Sequence, residues 1–522
     1  MPGKSKNIKI LFWLILISTL VRGIIAAFIE LGNDEVYYVN FALYLDWSHF
    51  DHPPMVGYII QLFSLNLLFE NEIFIRLGSI ILGSINTYII FLIGKKIKNE
   101  TTGLYAAFLF TASIYCFVIV GIFILPDTPQ VFFWLLSLYL LLSSLPSKQY
   151  LKAEKRNLIL AGITIGFAML SKYTSVFLWV GVGVYILLYN FNWLKKKEIY
   201  ISVILSFLIF LPVLIWNYNN DFISFTFHGE RVIANESMIR LDYFFAELGG
   251  QIFYNNPVNF IIILMTLFSI GFGKKFLSRD YKRLLLSTSL PLIILFLVFS
   301  LFRKTLPHWT APAYLSLILI AAAYLENKCS LKKRLIPNFI KTSIGFLVLL
   351  ILLGFLQINY GLLFQSHQEN LKKIGKNDVT LDMYGWSQLG EKFKILYQND
   401  LNKNNIKNDA IIVSHRWFPA ANLDHYVARP LNIKLLAIGK LERIHRYAWI
   451  NNYRGGFKKG MDAYFLTSSR DYQDPNFLYK NYFQKIEKPD TIQILRNGKT
   501  VKNVFVFRMK NLKKLPEVLI QE

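Results

Sequence analysis

The chain has 522 residues, 54% of them hydrophobic and 17% charged, with a mean hydropathy of +0.38. Soluble domains carry about 25% charged residues, so this composition excludes a string of ordinary soluble domains, and its apolar excess falls in runs of about 15 to 22 residues, the length that crosses a bilayer core. With 57 Lys and Arg against 33 Asp and Glu, the net charge of +24 would point to nucleic acid in a soluble protein; here basic cytoplasmic loops account for it, and no nucleic-acid partner is expected.

In chain order, the first element is an apolar run from Ile8 to Ile29 behind the basic start MPGKSKNIK. It lacks a small-residue cleavage site and exceeds a signal-peptide core, which predicts a retained span. Ten further spans are expected at 73–94, 103–125, 130–145, 158–170, 174–191, 199–216, 257–272, 284–302, 309–325 and 338–363. With the N-terminus inside, eleven crossings place Lys95/Lys96/Lys98, Lys148 to Arg156, Lys195 to Lys197, Lys274 to Arg283 and Lys328 to Arg334 in the cytoplasm, as the positive-inside rule requires. Counting 53–69 as a span would invert every later basic cluster, so this proline-initiated stretch is expected to lie flat at the outer surface. The C-terminal end after the last span is then outside.

The fold class is therefore a polytopic α-helical membrane protein with a C-terminal soluble α/β domain. Residues 1–363 form the membrane domain, with outer loops and interfacial helices over 30–72, and residues 364–522 form the outer domain. Within that outer part, Ala410–Val413, Ala463–Leu466 and Val504–Phe507 read as strands and 386–400 as a helix. The two cysteines, Cys116 and Cys329, support neither a disulfide framework nor a CxxC metal site.

Polar chemistry gathers on the outer side. Between Gly23 and Ile75 there are seven acids and no Lys or Arg, an excess that orientation rules do not require, since acids contribute little to orientation. Asp34 and Glu35 follow the first span. Adjacent carboxylates at a bilayer rim are costly to desolvate; they serve either as a hydrated helix start or, in a polar cavity, as a general base. His49-Phe50-Asp51-His52 before Pro53-Pro54 is a weak metal spacing, better read as a polar turn. No cofactor is called for, although a divalent cation is compatible with the loop. Asp127, between Pro126 and Thr128-Pro129, caps the next helix or adds a third carboxylate. Lys172, Arg231, Lys304 and His308 are outer-side cations or potential cations, each asking for an anionic partner, whether one of the acids or a phosphate ester. In the outer domain, Tyr447, Trp449, Tyr453 and Arg454 suit either sugar stacking or a satisfied core.

Several of these segments together resemble one group. They are Asn33-Asp34-Glu35 with Tyr37-Tyr38, His52-Pro53-Pro54 with Gly57-Tyr58, Arg76-Leu77-Gly78-Ser79, Pro126-Asp127, Leu170 to Thr174, Lys304 to Pro312, and Asp382-Met383-Tyr384-Gly385-Trp386. In order and placement they resemble the GT-C membrane glycosyltransferases, among them the protein O-mannosyltransferases and the lipid A aminoarabinose transferases. The resemblance implies a hexosyl- or pentosyltransferase of the bacterial inner membrane, with a cytoplasmic N-terminus and a periplasmic C-terminal domain. It implies a polyprenyl-phosphate sugar donor and a glycolipid or protein acceptor met at the membrane lipid surface. It carries catalysis onto Asp34, with Glu35 beside it and Asp127 as a second-loop acid. Donor-phosphate binding falls to His52, Lys172, Arg231, Lys304 and His308, with no metal ligand; some relatives carry Lys at the position of His52. A glycolipid acceptor is preferred because the chain lacks a large inserted luminal domain. The competing expectations are Ser or Thr of exported proteins as acceptor, or a lipid-linked sugar flippase. The flippase predicts charges near span midpoints and broken half-helices, whereas the visible charges cluster at the outer rim.

Overall fold

Each expected span coincides with a helix or a pair of successive helices in the computed structural model, which describes residues 6–232, 239–330, 336–362 and 370–520. The chain divides into two units, Met1–Ala26 with Leu45–Ile351, and Ala27–Tyr44 with Leu352–Glu522. Among the described residues, five helical stretches are long and apolar enough to cross a membrane: Lys6–Phe28, Leu77–Ile97, Lys197–Asn219, Arg279–Phe299 and Asn338–Tyr360. A sixth arises if the bent pair Leu241–Tyr254 and Pro257–Gly271 is one crossing. The chain is thus a polytopic helical membrane protein.

The other apolar segments are shorter or interrupted. The run expected at 103–125 is a helix over Glu100–Ala112 and a π turn over Tyr115–Ile119, separated where Ser113 turns extended. The segment expected at 158–170 is longer than its hydropathy suggests, a helix over Lys152–Ser171. Its charged first turn depresses the average, and Glu154 accepts the Leu151 amide at 2.7 Å to start it. This helix packs on Lys197–Asn219 through Gly162 and Gly166. A Cβ at Gly162 would lie 2.2 Å from the Ser202 carbonyl oxygen, and one at Gly166 would lie 2.9 Å from Ile209, the close backbone approach that a small-xxx-small spacing permits. The Ser202 hydroxyl then donates to the Leu158 carbonyl at 2.7 Å.

Leu241–Tyr254 meets Pro257–Gly271 at 102°. Asn256 makes the corner with φ +69°, its amide donating to the Ala112 and Ser343 carbonyls at 2.9 Å and its oxygen accepting from the Val258 amide at 3.0 Å. Of the stretch expected to lie flat, Met55–Phe63 is a nine-residue helix.

The second unit is built on a six-stranded sheet. Its strands are β1 (Ile411–Ser414), β2 (Leu435–Ala437), β3 (Ala463–Ser468), β4 (Phe483–Ile486), β5 (Asp490–Arg496) and β6 (Lys499–Leu512). The order is β2-β1-β3-β6-β4, with β5 also on β6. β1 runs parallel to β2 and β3, whereas β6 runs antiparallel to β3, β4 and β5. Ile411, Val413, Phe465, Phe507 and Met509 form the core on one face. The three strands expected from sequence fall on β1, β3 and β6, and the expected helix is Trp386–Asn402.

Residues 27–44 belong to this same unit. Glu30 accepts the Trp386 and Ser387 amides at 2.8 and 2.9 Å, capping that helix from a distant part of the chain. The Leu31 amide donates to the Tyr426 hydroxyl at 2.8 Å, and Asn40 donates to the Tyr447 hydroxyl at 3.2 Å. Tyr37 packs 5.0 Å from Trp417 between ring centres.

Candidate active site

In the first unit the site begins with Asp127 and Lys172. Asp127 opens the helix Asp127–Leu142, and Lys172 follows the last turn of Lys152–Ser171 in extended backbone. Both side chains are buried, at 4% and 6% exposure. The ammonium contacts both carboxylate oxygens at 2.9 and 2.8 Å, and the Tyr115 hydroxyl donates to the same carboxylate at 2.8 Å. Gln130, one turn along, donates to the hydroxyls of Thr174 and Ser175 at 2.9 and 3.0 Å, fixing the turn after Lys172. The anionic partner that Lys172 demanded is therefore an acid of this chain.

His308 lies in the short helical turn Pro307–Trp309, 6.1 Å from Tyr254 between ring centres. Burial and the Lys172 charge push its pKa down to about 4 against the pull of Asp127, so the ring is neutral at physiological pH. His52 packs near His228, with ring centres 6.0 Å apart, and His228 also meets Tyr173 at 5.5 Å and the Asp51 carbonyl at 2.6 Å. Lys304 is exposed. The Arg231 side chain lies outside the described residues. Among the described residues no three His, Cys, Asp or Glu side chains gather as a metal would require.

In the second unit, Asp34 and Glu35 divide. Glu35 is buried and its carboxylate accepts the Gly32 amide at 2.9 Å, capping the helix Asn33–Leu43. Asp34, in the same first turn, is exposed. The adjoining Asn33 oxygen accepts from the Asn422 amide at 2.9 Å, which holds the turn on the sheet domain. The aromatic cluster near 450 is divided: Tyr447 and Trp449 are buried, the Tyr447 hydroxyl donating to Asp424 at 3.2 Å while Arg454 clamps the same carboxylate at 2.9 and 2.8 Å, whereas Tyr453 is half exposed and stacks on Tyr44 at 5.3 Å.

Two groups were not singled out from sequence. Arg22 is fully buried inside the first helix, its guanidinium 4.7 Å above the Phe117 ring in space left by Gly83 and Gly121. This adds a buried charge within an apolar helix to those that cluster at the outer rim; a single Arg disappears into the hydropathy average of a 23-residue run. Glu247 is buried on the helix Leu241–Tyr254, where Gln251 and Thr305 each donate to it at 2.7 Å and the Tyr314 hydroxyl donates to Gln251 at 2.6 Å. The spacing of Glu247, Gln251 and Tyr254 along one helical face was the available signal.

Residues 51–216 match the family described as dolichyl-phosphate-mannose-protein mannosyltransferase. The lipid A galacturonosyltransferase RgtD of Rhizobium johnstonii is 23% identical over 309 residues, covering 56% of this chain and 60% of that protein. An uncharacterized protein of Aquifex aeolicus is 25% identical over 342 residues, covering 60% and 64%. The chain thus spans less than two thirds of the length of these curated relatives. Among solved structures, ArnT from Cupriavidus metallidurans bound to undecaprenyl phosphate shares the fold, with a TM-score of 0.62 at 14% identity over 97% of this chain and 98% of that one. The Archaeoglobus fulgidus oligosaccharyltransferase reaches 0.50 at 11% identity, over 88% and 69%.

Proposed function

We propose that the chain is a GT-C membrane glycosyltransferase, a reading its likeness to ArnT, to RgtD and to the mannosyltransferase family supports, and that it moves a sugar from a polyprenyl phosphate to an envelope glycolipid of the lipid A type. The transfer takes place on the outer face of the bacterial inner membrane, with eleven crossings and the sheet domain outside. The observation that carries the reading is the division of labour at Asp34-Glu35. One carboxylate is spent on capping its own helix, and the other is left exposed on the rigid first turn. A general base needs that placement, fixed by its backbone and exposed to solvent.

In the reaction, the acceptor hydroxyl gives its proton to Asp34 while its oxygen attacks the anomeric carbon. The bond from that carbon to the phosphate oxygen breaks on the opposite side, so configuration inverts and polyprenyl phosphate departs. Asp127 and Lys172 neutralise one another and position the outer loops rather than exchange protons. The leaving phosphate draws its counter-charge from Arg231 and Lys304, with His52 as a hydrogen-bond donor. The lipid acceptor is favoured by the likeness to the galacturonosyltransferase, and the family match at residues 51–216 keeps a protein acceptor as the alternative to test.

Mass spectrometry of envelope lipids and exported proteins decides, from cells with the chain, without it, and with Asp34→Asn. A sugar-sized mass lost from a lipid in both the deletion and the variant is expected. Loss confined to peptides makes the acceptor a protein. Transfer retained by folded Asp34→Asn removes Asp34 from the mechanism, and an unchanged product pool with altered outer-leaflet donor favours the flippase.

A further inference from the structure

The sheet of the second unit has a crevice that the transfer chemistry does not use. β1 leads away to β2 on one side, whereas the chain leaving β3 goes to the opposite side of the sheet. Parallel strands whose exits diverge in this way leave an opening outside their carboxyl ends, where open α/β sheets bind their ligands. A cavity of about 270 Å³ lies there. His415 and Arg416 enter it directly after β1, Thr467 and Ser468 close β3 into it, and Arg470 and Asp471 follow. Asp382 and Trp386, the ends of the Asp382-Met383-Tyr384-Gly385-Trp386 motif, and Lys502 complete it.

The lining is cationic and incompletely satisfied. Arg416, Arg470 and Lys502 face two carboxylates, Asp471 paired with Arg416 and Asp382 paired with Arg470. Lys502 is 1% exposed, yet among the described residues its ammonium meets only two carbonyls, those of Tyr384 at 3.0 Å and Leu381 at 3.4 Å, which leaves one of its three donors. Its charge lies 4.4 Å from the Trp386 ring. His415 is 6% exposed and its Nδ1 is buried with no hydrogen-bond partner. A net positive cavity with a spare buried ammonium donor, an unmatched imidazole nitrogen, two hydroxyls and an indole wall asks for a ligand with an anionic group and several hydroxyls. The volume sits just below the roughly 300 Å³ at which small-molecule sites begin, which suits one sugar ring rather than a nucleotide.

We propose that this cavity binds a single sugar carrying a phosphate, its anionic group held by Arg416 and Lys502 and its hydroxyls by His415, Thr467 and Ser468. Asp34 is not among the residues that line the cavity, so binding is expected to persist in Asp34→Asn, and failure of the transfer reading leaves the proposal intact.

The test is calorimetric titration of the purified full-length protein in detergent with glucosamine 6-phosphate, N-acetylglucosamine and inorganic phosphate as probes. The sugar phosphate is expected to saturate one site, with each of the other two at least about tenfold weaker, the loss of one charge-assisted contact. Arg416→Gln is expected to weaken binding about tenfold. Asp471→Asn, which frees Arg416 from its internal partner, is expected to tighten it several-fold, a gain that no folding defect imitates. Displacement of the bound probe by phosphorylated lipid A micelles assigns the ligand to a lipid headgroup, and its absence assigns a soluble sugar phosphate. No saturable binding, inorganic phosphate binding as tightly as the sugar phosphate, or both variants matching the wild type would overturn the proposal.

Discussion

Lys172→Met probes the buried pair at the mouth of the helix Asp127–Leu142. At 4% and 6% side-chain exposure, water cannot replace what the substitution removes. Asp127 loses two contacts at 2.9 and 2.8 Å and keeps the Tyr115 hydroxyl at 2.8 Å. Removing one member of a buried ion pair costs about 3–5 kcal/mol, because the other charge stays behind unpaired. Replacing both members is milder, so Asp127→Asn combined with Lys172→Met is expected to cost only about 1–2 kcal/mol. At about 2 °C per kcal/mol for a domain of this size, the single variant unfolds roughly 6–10 °C lower and the double variant roughly 2–4 °C lower. The assay is tryptophan fluorescence of detergent-purified protein at one scan rate and pH 7.5. A single variant within 1 °C of wild type, or a double variant worse than the single, refutes the argument that this pair is held by mutual neutralisation.

Three further outcomes follow from the geometry. Gly162→Ala places a methyl group 2.2 Å from the Ser202 carbonyl oxygen and is expected to cost about 1–3 kcal/mol, whereas Gly183→Ala, with open space around it, is expected to be neutral or mildly stabilising; paired melting curves compare them. Burial holds His308 and His415 down to about 4 and His425 down to about 3. Their unfolded pKa is near 6.5, so the unfolded state takes up the extra protons and stability is lost as pH falls from about 6.5 towards 4 and then 3. Melting midpoints across pH 7.5 to 4 should show that decline, shallower in His425→Phe. Tyr447→Phe removes a buried hydroxyl shared by Asp424 and Asn40 and is expected to cost about 1–2 kcal/mol, read as faster proteolysis within 352–522.

Hydropathy made the apolar helices legible because a bilayer imposes its thickness on any run that crosses it, and five of them among the described residues are long and apolar enough to do so. It under-read the helix Lys152–Ser171, whose first turns carry Lys152, Lys155 and Arg156, and it hid Arg22, a single charge in an apolar run. Strands β1, β3 and β6 were visible as short β-branched and aromatic runs; β2, at three residues, carries too little pattern, whereas β5, with Ile492 and Ile494 buried between exposed neighbours, carried an alternation that went unread. In the site, Lys172 was recognised as a cation in need of an acid, but its pairing with a residue 45 positions away is a tertiary fact that local spacing does not encode. The same holds for Asp34 and Glu35: their adjacency was plain, and which of them turned inward depended on the backbone of Gly32.

The docking of residues 27–44 onto the C-terminal sheet has a consequence for biosynthesis. Tyr447, which Asn40 of this segment contacts, lies 407 positions further along the chain, so at roughly 5–20 residues per second the binding surface is incomplete for about 20 to 80 seconds. During that interval Tyr37, Tyr38 and Phe41, which are buried in the finished protein, lack the groups that bury them. Chains released early therefore carry an adhesive aromatic flap with nothing to receive it. Supplying residues 352–522 separately should rescue such chains from quality-control proteolysis.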